Sequence, residues 1–444
     1  MNKPGKWLEK TVIIVGWLLC WQILSWWVDN SILLVGPWET LTVLLDKLVK
    51  ISFWKTIVGS LVRIVAGFLA GWVAGLLLAA LSAADRRAEA ALKPIMTLMK
   101  TVPVASFVVL FLIWFRSDML SIAISLCVVL PSVYLNTLEG IKSTDKKLLE
   151  MARVHGVHPL DRFFYIYRSA LKPFWDSSMK LTVGMSWKSG VAAEVIGTPG
   201  FSIGEQLYLS KIHLDTAGVL AWTAVIIVVS IACEKGFMKL WHGFLEWQPK
   251  CRNRRNKADL QNGFEYGMET EQDTILILQD ISKAYGENQV LNRFNAAYKK
   301  GQVYYFRTLS GSGKTTLFRL IAGLERCDSG TVRKNGSLAF AFQEDRLCEE
   351  YSALKNVELV AGDEKTAYRY LIPLLDEMDI QKNCSQLSGG MKRRVAVARA
   401  FAAQSDIVLL DEPFAGLDEE NRRRMQEYIE ECGERKVVLI ATHV

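Results

Sequence analysis

The sequence lacks the cysteine patterns that mark metal sites and disulfide scaffolds. Its eight cysteines are scattered over 444 residues, with no C-x-x-C pair and no Cys/His spacing of a metal site. Cys20, Cys127 and Cys233 fall in apolar runs, where cysteine behaves as a small hydrophobic residue. A reducing cytosol is the simplest setting for such a chain.

The sequence also lacks a cleavable secretion signal and the charge distribution of a nucleic-acid binder. The first apolar run, 11–27, has no small-residue cleavage site, so we interpret it as a membrane anchor. The formal net charge is +7, and the basic residues cluster where the cytoplasmic loops of a membrane protein would fall. This distribution indicates a membrane protein and argues against a nucleic-acid partner.

Hydrophobic residues make up 50% of the chain, with a mean hydropathy of +0.16, and the excess lies before about residue 247. We predict a helical transmembrane domain over 1–247 and a soluble α/β domain over 274–444. The predicted linker, 248–273, begins with a basic run typical of a segment facing anionic membrane lipid.

Six membrane spans are predicted, with both ends of the domain in the cytoplasm. They cover about 11–27, 57–83, 102–115, 119–138, 179–196 and 217–233. Lys188 and Glu194 lie in the fifth span, where charges are costly. They indicate a pathway or a buried partner, or else positions close to an interface.

A glycine-rich run lies between an apolar strand pattern at 303–306 and an apolar helical pattern at 317–321. Its residues are Ser310, Gly311, Ser312, Gly313, Lys314, Thr315 and Thr316. Glycines let backbone N–H groups surround a phosphate, and the helix N-terminus adds partial positive charge. We predict that Lys314 reaches the β- and γ-phosphates and that Thr315 holds Mg²⁺. The alternative is an ordinary glycine turn.

A second buried-strand pattern, 407–410, ends in an acidic pair. Asp411 can hold Mg²⁺ through its waters, and Glu412 can orient or deprotonate the attacking water. The alternative is a surface acidic pair. Ser388, Gly389 and Gly390 head a basic helix and form a second anion-seeking element, although one nucleotide needs one cradle.

Together these motifs resemble an ABC transporter ATPase across about 273–444. The corresponding elements are Walker A at 308–315, the Q-loop glutamine Gln343, the LSGGQ signature at 387–391, Walker B at 407–412, the D-loop at 416–418, the switch histidine His443 and the adenine-stacking aromatic Tyr285. The resemblance implies a P-loop fold with a helical subdomain, ATP as the nucleotide, Gln343 among the Mg²⁺ ligands and His443 at the γ-phosphate.

The resemblance also explains the second anion-seeking element. In this family two ATPase domains face head to tail, and each signature caps the nucleotide on the other P-loop. Ser388, Gly389 and Gly390 would therefore act in trans. A complete pair of sites requires a second copy or a related half-transporter.

The membrane half resembles binding-protein-dependent import permeases over about 30–240. Glu150, Met151, Ala152 and Gly156 are similar to their EAA loop, which docks on the ATPase. Other segments resemble the nitrate/sulfonate/taurine branch, which also handles vitamin precursors. This implies ATP-driven uptake of a small solute, delivered by an extracytoplasmic substrate-binding protein, across the cytoplasmic membrane, with the ATPase domain in the cytoplasm.

Three departures from the ATPase pattern leave alternatives open. Thr308 replaces the first P-loop glycine and puts the nucleotide affinity in question, whereas Met391 replaces the signature glutamine with a mild expected effect. The family continues beyond His443, so we expect a C-terminally short domain. One alternative is a nucleotide-binding membrane protein with lost or weak hydrolysis and a regulatory or structural role. The other, an exporter, is disfavoured by the EAA-like loop.

Overall fold

The computed structural model describes residues 4–246, 274–307 and 311–442. The chain divides into two compact units, the first formed by Met1–Ser143 with Leu171–Trp247 and the second by Thr144–Ala170 with Gln248–Val444. The predicted linker at 248–273 lies outside the described residues. A segment from within the membrane half of the sequence therefore belongs, by its contacts, to the second unit.

Residues 4–246 are helical apart from their connections. The helices are α1 (Pro4–Val28), α2 (Pro37–Leu48), α3 (Ile51–Ala84), α4 (Arg86–Thr101), α5 (Val104–Trp114), α6 (Ser117–Lys142), α7 (Lys146–Val154), α8 (Pro159–Arg162), α9 (Arg168–Gly197), α10 (Ile203–Ile212) and α11 (Thr216–Glu246). A π-helical turn, Phe163–Tyr167, joins α8 to α9.

Within the described residues, four helical segments are long and apolar enough to cross a membrane. They are Thr11–Val28 in α1, the whole of α3 and α6, and Thr216–Leu245 in α11. The pair α4 and α5, bent by 107°, would make a fifth. The predicted fifth span lies in α9, which is not among them because Lys180, Lys188 and Glu194 interrupt its apolar sequence. By length and composition alone, the described residues therefore give four or five spans beside the six predicted from the sequence.

Small residues let α3 and α6 pack closely in the first unit. A side chain at Gly71 would lie 3.0 Å from the Leu126 carbonyl oxygen, and one at Gly75 would lie 2.9 Å from the Val133 Cβ. These glycines are four residues apart, so they share one face of α3. The contact is the close approach that small residues allow between membrane helices.

The second unit contains two sheets. Its strands are β1 (Thr274–Tyr285), β2 (Asn288–Lys299), β3 (Gln302–Arg307), β4 (Ser329–Lys334), β5 (Leu338–Ala341), β6 (Ile407–Asp411) and β7 (Val437–Thr442). The antiparallel sheet has the order β2-β1-β4, and the parallel sheet has the order β3-β7-β6-β5. Every residue of β5 and β6 is buried, as is typical of parallel strands covered on both faces.

Some helices of the second unit accompany the parallel sheet, and others form a separate helical part. They are α12 (Lys314–Ile321), α13 (Ala353–Ala361), α14 (Glu364–Leu371), α15 (Glu377–Ile380), α16 (Gly389–Ala402) and α17 (Glu419–Gly433). The helices α13 to α15 lie in the chain between β5 and α16, where the sequence predicts an inserted helical subdomain.

Candidate nucleotide site and coupling segment

The predicted motif residues follow the four parallel strands. The glycine-rich run comes after β3, Gln343 comes two residues after β5, and Asp411 ends β6. Since the carboxyl ends of parallel strands lie along one edge of a sheet, this topology gathers the motifs at that edge. His443 follows β7 in the sequence but lies outside the described residues, as do Thr308 and Ser310.

The described part of the glycine-rich run has the backbone that a phosphate cradle requires. Gly311 and Gly313 have φ of +83° and +85°, in the left-handed region that glycine adopts most readily. A side chain at Gly313 would lie 2.7 Å from the Val290 Cγ1. Lys314 begins α12 immediately after Gly313, so the helix N-terminus opens onto the loop. This arrangement fits an anionic phosphate chain.

Thr315 and Asp411 offer oxygen atoms for a magnesium ion. The Thr315 hydroxyl donates a 2.9 Å hydrogen bond to Asp411 Oδ2, and Asp411 is only 1% exposed. Burial raises the pKa of the Asp411 carboxyl, an effect that Thr315 opposes and Glu412 reinforces. A hydroxyl and a carboxylate held together are the hard oxygen ligands that Mg²⁺ prefers.

Glu412 has a backbone conformation that the sequence did not indicate. Its φ is +56°, which costs an L-residue on the order of 1–2 kcal/mol. The Glu412 N–H donates a 2.9 Å hydrogen bond to the Ala441 carbonyl on β7, which holds the residue at the sheet edge. Strain of this kind collects at functional sites, and it sets where the predicted base stands.

The signature segment lies against the D-loop. Ser388 caps α16 by accepting a 3.3 Å hydrogen bond from the Met391 N–H. A side chain at Gly390 would lie 3.1 Å from the Gly416 carbonyl oxygen, whereas one at Gly389 would contact nothing within 4 Å. Ser388 and Gly389 are both exposed in the single chain.

Two arginines of α16 hold the segment 342–346, and sequence reasoning missed both. Arg393 donates to the carbonyls of Phe342, at 2.6 Å, and Gln343. Arg399 donates to the carbonyls of Arg346 and Asp345 at 2.8 and 2.9 Å. Arg399 is 0% exposed, and this burial lowers its pKa to about 10. A basic helix after the signature was the available signal, although basic residues usually face solvent.

The segment 144–170 packs into the core of the second unit. Met151 and Val154 belong to a buried cluster that includes strands of both sheets. Ala152, Tyr165 and Ile166 belong to a second cluster, with residues of α13 and α16. We call 144–170 the coupling segment, because it follows α6 in the chain and runs into the first turn of α9.

Glu150 anchors the coupling segment by two ion pairs. Its carboxylate lies 2.8 Å from Arg346 and 3.3 Å from Arg319. Partial burial alone would raise the pKa of Glu150, but the hydrogen bonds from both arginines outweigh it and lower that pKa. Arg346 belongs to the segment held by α16, and Arg319 belongs to the helix that the glycine-rich run begins. Glu150 therefore contacts both nucleotide-site elements.

Tyr285 ends β1 and is 49% exposed, which leaves much of its ring accessible for stacking. The ammonium of Lys283 lies 5.5 Å from the ring centroid. The Tyr285 hydroxyl donates a hydrogen bond to Glu325, and this bond raises the tyrosine pKa. The sequence predicted the stacking ring but not the partner of the hydroxyl.

Glu194 in the first unit is completely buried and paired. It accepts hydrogen bonds from Ser60 at 2.6 Å and from Arg63 at 3.2 Å, while Arg63 also donates to the Phe201 carbonyl. Lys188, six residues earlier on α9, is exposed. Of the alternatives that the sequence left open for Glu194, the structure gives a buried partner.

Comparison with known proteins agrees with both halves of the chain. Residues 291–415 match the ABC transporter family, and residues 67–235 match the family described as the inner membrane component of binding-protein-dependent transport systems. A probable sulfate/thiosulfate import ATP-binding protein of Chlorella vulgaris is 35% identical over 175 residues, which cover 35% of this chain and 74% of that protein.

Two further similarities concern the second unit. An aliphatic sulfonates import ATP-binding protein of Pseudomonas syringae pv. syringae is 33% identical over 178 residues, covering 38% of this chain and 75% of that protein. A solved dimeric ATP-binding cassette in a post-hydrolysis state with ADP and phosphate aligns at a TM-score of 0.36 and 28% identity, over 38% of this chain and 88% of that one.

The two family matches and the sequence relatives confirm the predicted family and the predicted fold class, apolar helices followed by an α/β ATPase domain. They also confirm ATP binding and a multi-pass membrane location with the ATPase domain in the cytoplasm. The chain belongs to the ABC transporter family, as a binding-protein-dependent permease fused to an ATPase that couples ATP hydrolysis to solute import.

Proposed function

We propose that the chain is a half-transporter that imports a small anion of the sulfonate or sulfate class. The names of the similar proteins, which refer to sulfate/thiosulfate and aliphatic sulfonate import, support this substrate class. An extracytoplasmic binding protein would deliver the anion, as the name of the matched permease family suggests. A second copy or a related half-transporter would complete the pair, since the sequence holds one P-loop and one signature.

The observation that carries the proposal is the packing of the coupling segment. Met151 and Ala152 are completely buried among residues of the ATPase core, and Glu150 is paired to Arg319 and Arg346. A change of conformation at the nucleotide site must therefore act on this segment. Because α6 and α9 flank the segment in the chain, its displacement is passed directly to two helices of the permease.

The residues at the sheet edge would divide the chemistry of hydrolysis. Lys314 would neutralise phosphate charge, and Thr315, Gln343 and Asp411 would hold Mg²⁺. The 2.9 Å hydrogen bond between Thr315 and Asp411 supports that ligand set. Bound magnesium would supply positive charge to the phosphates during transfer.

The remaining site residues would act on the attacking water, on the adenine ring and on the nucleotide of the partner. Glu412 would accept the proton of the attacking water, with His443 at the γ-phosphate and the ring of Tyr285 against the adenine. The exposed Ser388 and Gly389, with Gly390, would cap the nucleotide on the partner. The cradle would also include Gly311, Ser312, Gly313 and Thr316, with Ser310.

Uptake and hydrolysis together test this proposal. Cells that carry the native binding protein should accumulate labelled ethanesulfonate or sulfate when they express the chain, and should stop when they express Glu412→Gln. The purified chain in nanodiscs should show Mg²⁺-dependent ATP turnover well above Glu412→Gln, which should still bind ATP.

Three results would contradict the proposal. Bound nucleotide without turnover in the unmodified chain would point to a regulatory partner. ATP-dependent loss of the anion from cells would indicate export. Uptake of neither anion, with intact turnover, would exclude the substrate class and leave the transporter assignment standing.

A further inference from the structure

A continuous line of hydrogen bonds joins Tyr285 to the coupling segment. The Tyr285 hydroxyl donates to one oxygen of Glu325, and the other oxygen accepts from Arg319 Nε at 2.5 Å. The two terminal nitrogens of Arg319 lie 3.4 and 3.3 Å from the carboxylate oxygens of Glu150. We call these four side chains the Tyr285–Glu150 relay. It runs from the proposed base-stacking residue to the coupling segment.

The relay is placed where its members depend on one another. The side chains of Arg319 and Glu325 are each 24% exposed, so water screens their pairing only in part. Burial disfavours the charged form of the Arg319 guanidinium, but Glu325 and Glu150 more than compensate, so its pKa is raised. Arg319 is shared between Glu325 and Glu150, so the orientation that Glu325 imposes decides how the guanidinium meets Glu150.

We propose that the Tyr285 hydroxyl positions Glu325 and Arg319, so that occupation of the base site and the hold on the coupling segment are energetically coupled. Tyr285 then has two separable tasks, a ring that contacts the base and a hydroxyl that positions the relay. This inference rests on the proposed function only for the contact between the Tyr285 ring and the base.

The physical reason lies in the exposure of Tyr285. Without a base, a half-exposed ring at the end of a strand can leave its rotamer, and each departure releases Glu325. A base stacked on the ring restricts it and keeps the hydroxyl on Glu325. A ligand shifts such an equilibrium by its preference for one state, and the coupling is reciprocal. A bound base would strengthen the pairing of Arg319 with Glu150 by some factor. Loss of that pairing must therefore weaken nucleotide binding by the same factor.

A double-mutant cycle on nucleotide affinity tests the proposal without requiring hydrolysis. The variants are Tyr285→Phe, which keeps the ring, Glu150→Gln, and the two combined, in the full chain in nanodiscs. The measurement is the Kd of a fluorescent ATP analogue with an intact adenine. We expect Glu150→Gln to weaken binding about 5-fold in the native background and by less than about 2-fold in the Tyr285→Phe background. Glu325→Gln should act like Tyr285→Phe.

The matched control is Tyr368→Phe, which also removes a tyrosine hydroxyl that donates to a glutamate, Glu377, at 3.4 Å. In that background the effect of Glu150→Gln should remain about 5-fold. Equal effects of Glu150→Gln in the native and the Tyr285→Phe backgrounds would overturn the relay. Loss of affinity in Tyr285→Leu but not in Tyr285→Phe would uphold base stacking and would overturn the proposed task of the hydroxyl. Absent hydrolysis would count against the proposed function alone.

Discussion

Replacing Arg399 tests how much the hydrogen bonds from α16 to the segment 342–346 contribute to the free energy of unfolding. The guanidinium is completely buried and donates to two backbone carbonyls, at 2.8 and 2.9 Å. We predict that Arg399→Lys destabilises the protein at least as much as Arg399→Met, although lysine keeps the charge. The order follows from comparing the hydrogen bonds with the cost of burial.

Two opposing contributions set the magnitude. Burial lowers the Arg399 pKa from 12.5 to about 10, which corresponds to roughly 3 kcal/mol of desolvation. Two hydrogen bonds from a charged donor contribute about 3–6 kcal/mol. Methionine loses both bonds but removes the desolvation, for a net loss of about 0–3 kcal/mol. Lysine retains the desolvation and loses the planar fork, so at least one carbonyl goes unsatisfied at about 2–3 kcal/mol.

The assay is thermal unfolding of the full chain in nanodiscs, following the transition that added ATP shifts upward. For a unit of about 150–250 residues, each kcal/mol corresponds to about 2–4 °C. The Arg399→Lys variant should melt about 4–12 °C below the native chain, and the Arg399→Met variant about 0–12 °C below it. The midpoint of the lysine variant should not exceed that of the methionine variant. A lysine variant that melts like the native chain while methionine melts far lower would refute this account.

Two further predictions concern the ion pair and the phosphate loop. The Glu150 carboxyl has a lowered pKa in the folded chain. Its pairing therefore contributes its full stability above the usual glutamate pKa, and that stability is lost as the pH falls through the lowered pKa. The decline of the melting midpoint in acid should be shallower in Glu150→Gln, and an unchanged pH profile would contradict this. Gly313→Ala forces a side chain to φ +85° and to 2.7 Å from Val290. We expect a destabilisation of about 1–3 kcal/mol and at least about 10-fold weaker ATP binding by titration, whereas native affinity would argue against the cradle.

Part of the candidate site is visible in the sequence because Gln343, Asp411 and Glu412 come at or just after the ends of the buried apolar strands β5 and β6. The strand patterns at 407–410 and 437–441 match β6 and β7 to within one residue, and a continuous apolar run with a polar end is a local signal. The predicted position of the glycine-rich run before a helix likewise matches α12. Local pattern was therefore sufficient to place the strands and the helix beside the candidate site, whereas the roles of the site residues stay predictions.

Long-range contacts were not predictable in the same way. Arg399 and its carbonyl partners are more than fifty residues apart, and the buried state of a basic residue is decided by tertiary packing. The positive φ of Glu412 depends on β7, and the pairing of Glu150 depends on residues about 170 and 200 positions later. In α9, the buried charge of Glu194 is tolerated because Ser60 and Arg63 donate hydrogen bonds to its carboxylate. None of these partners is visible in the local sequence.

The buried position of Met151 has a consequence for biosynthesis. Its cluster includes Leu439 on β7, which the ribosome adds 439 − 151 = 288 residues later. At a synthesis rate of about 5–20 residues per second, the apolar side chains of the coupling segment stay uncovered for roughly 15–60 s before β7 is made. Fusion of permease and ATPase in one chain guarantees that the missing surface arrives, once per permease and tethered beside it. Separately encoded subunits would have to find each other by diffusion during the same interval.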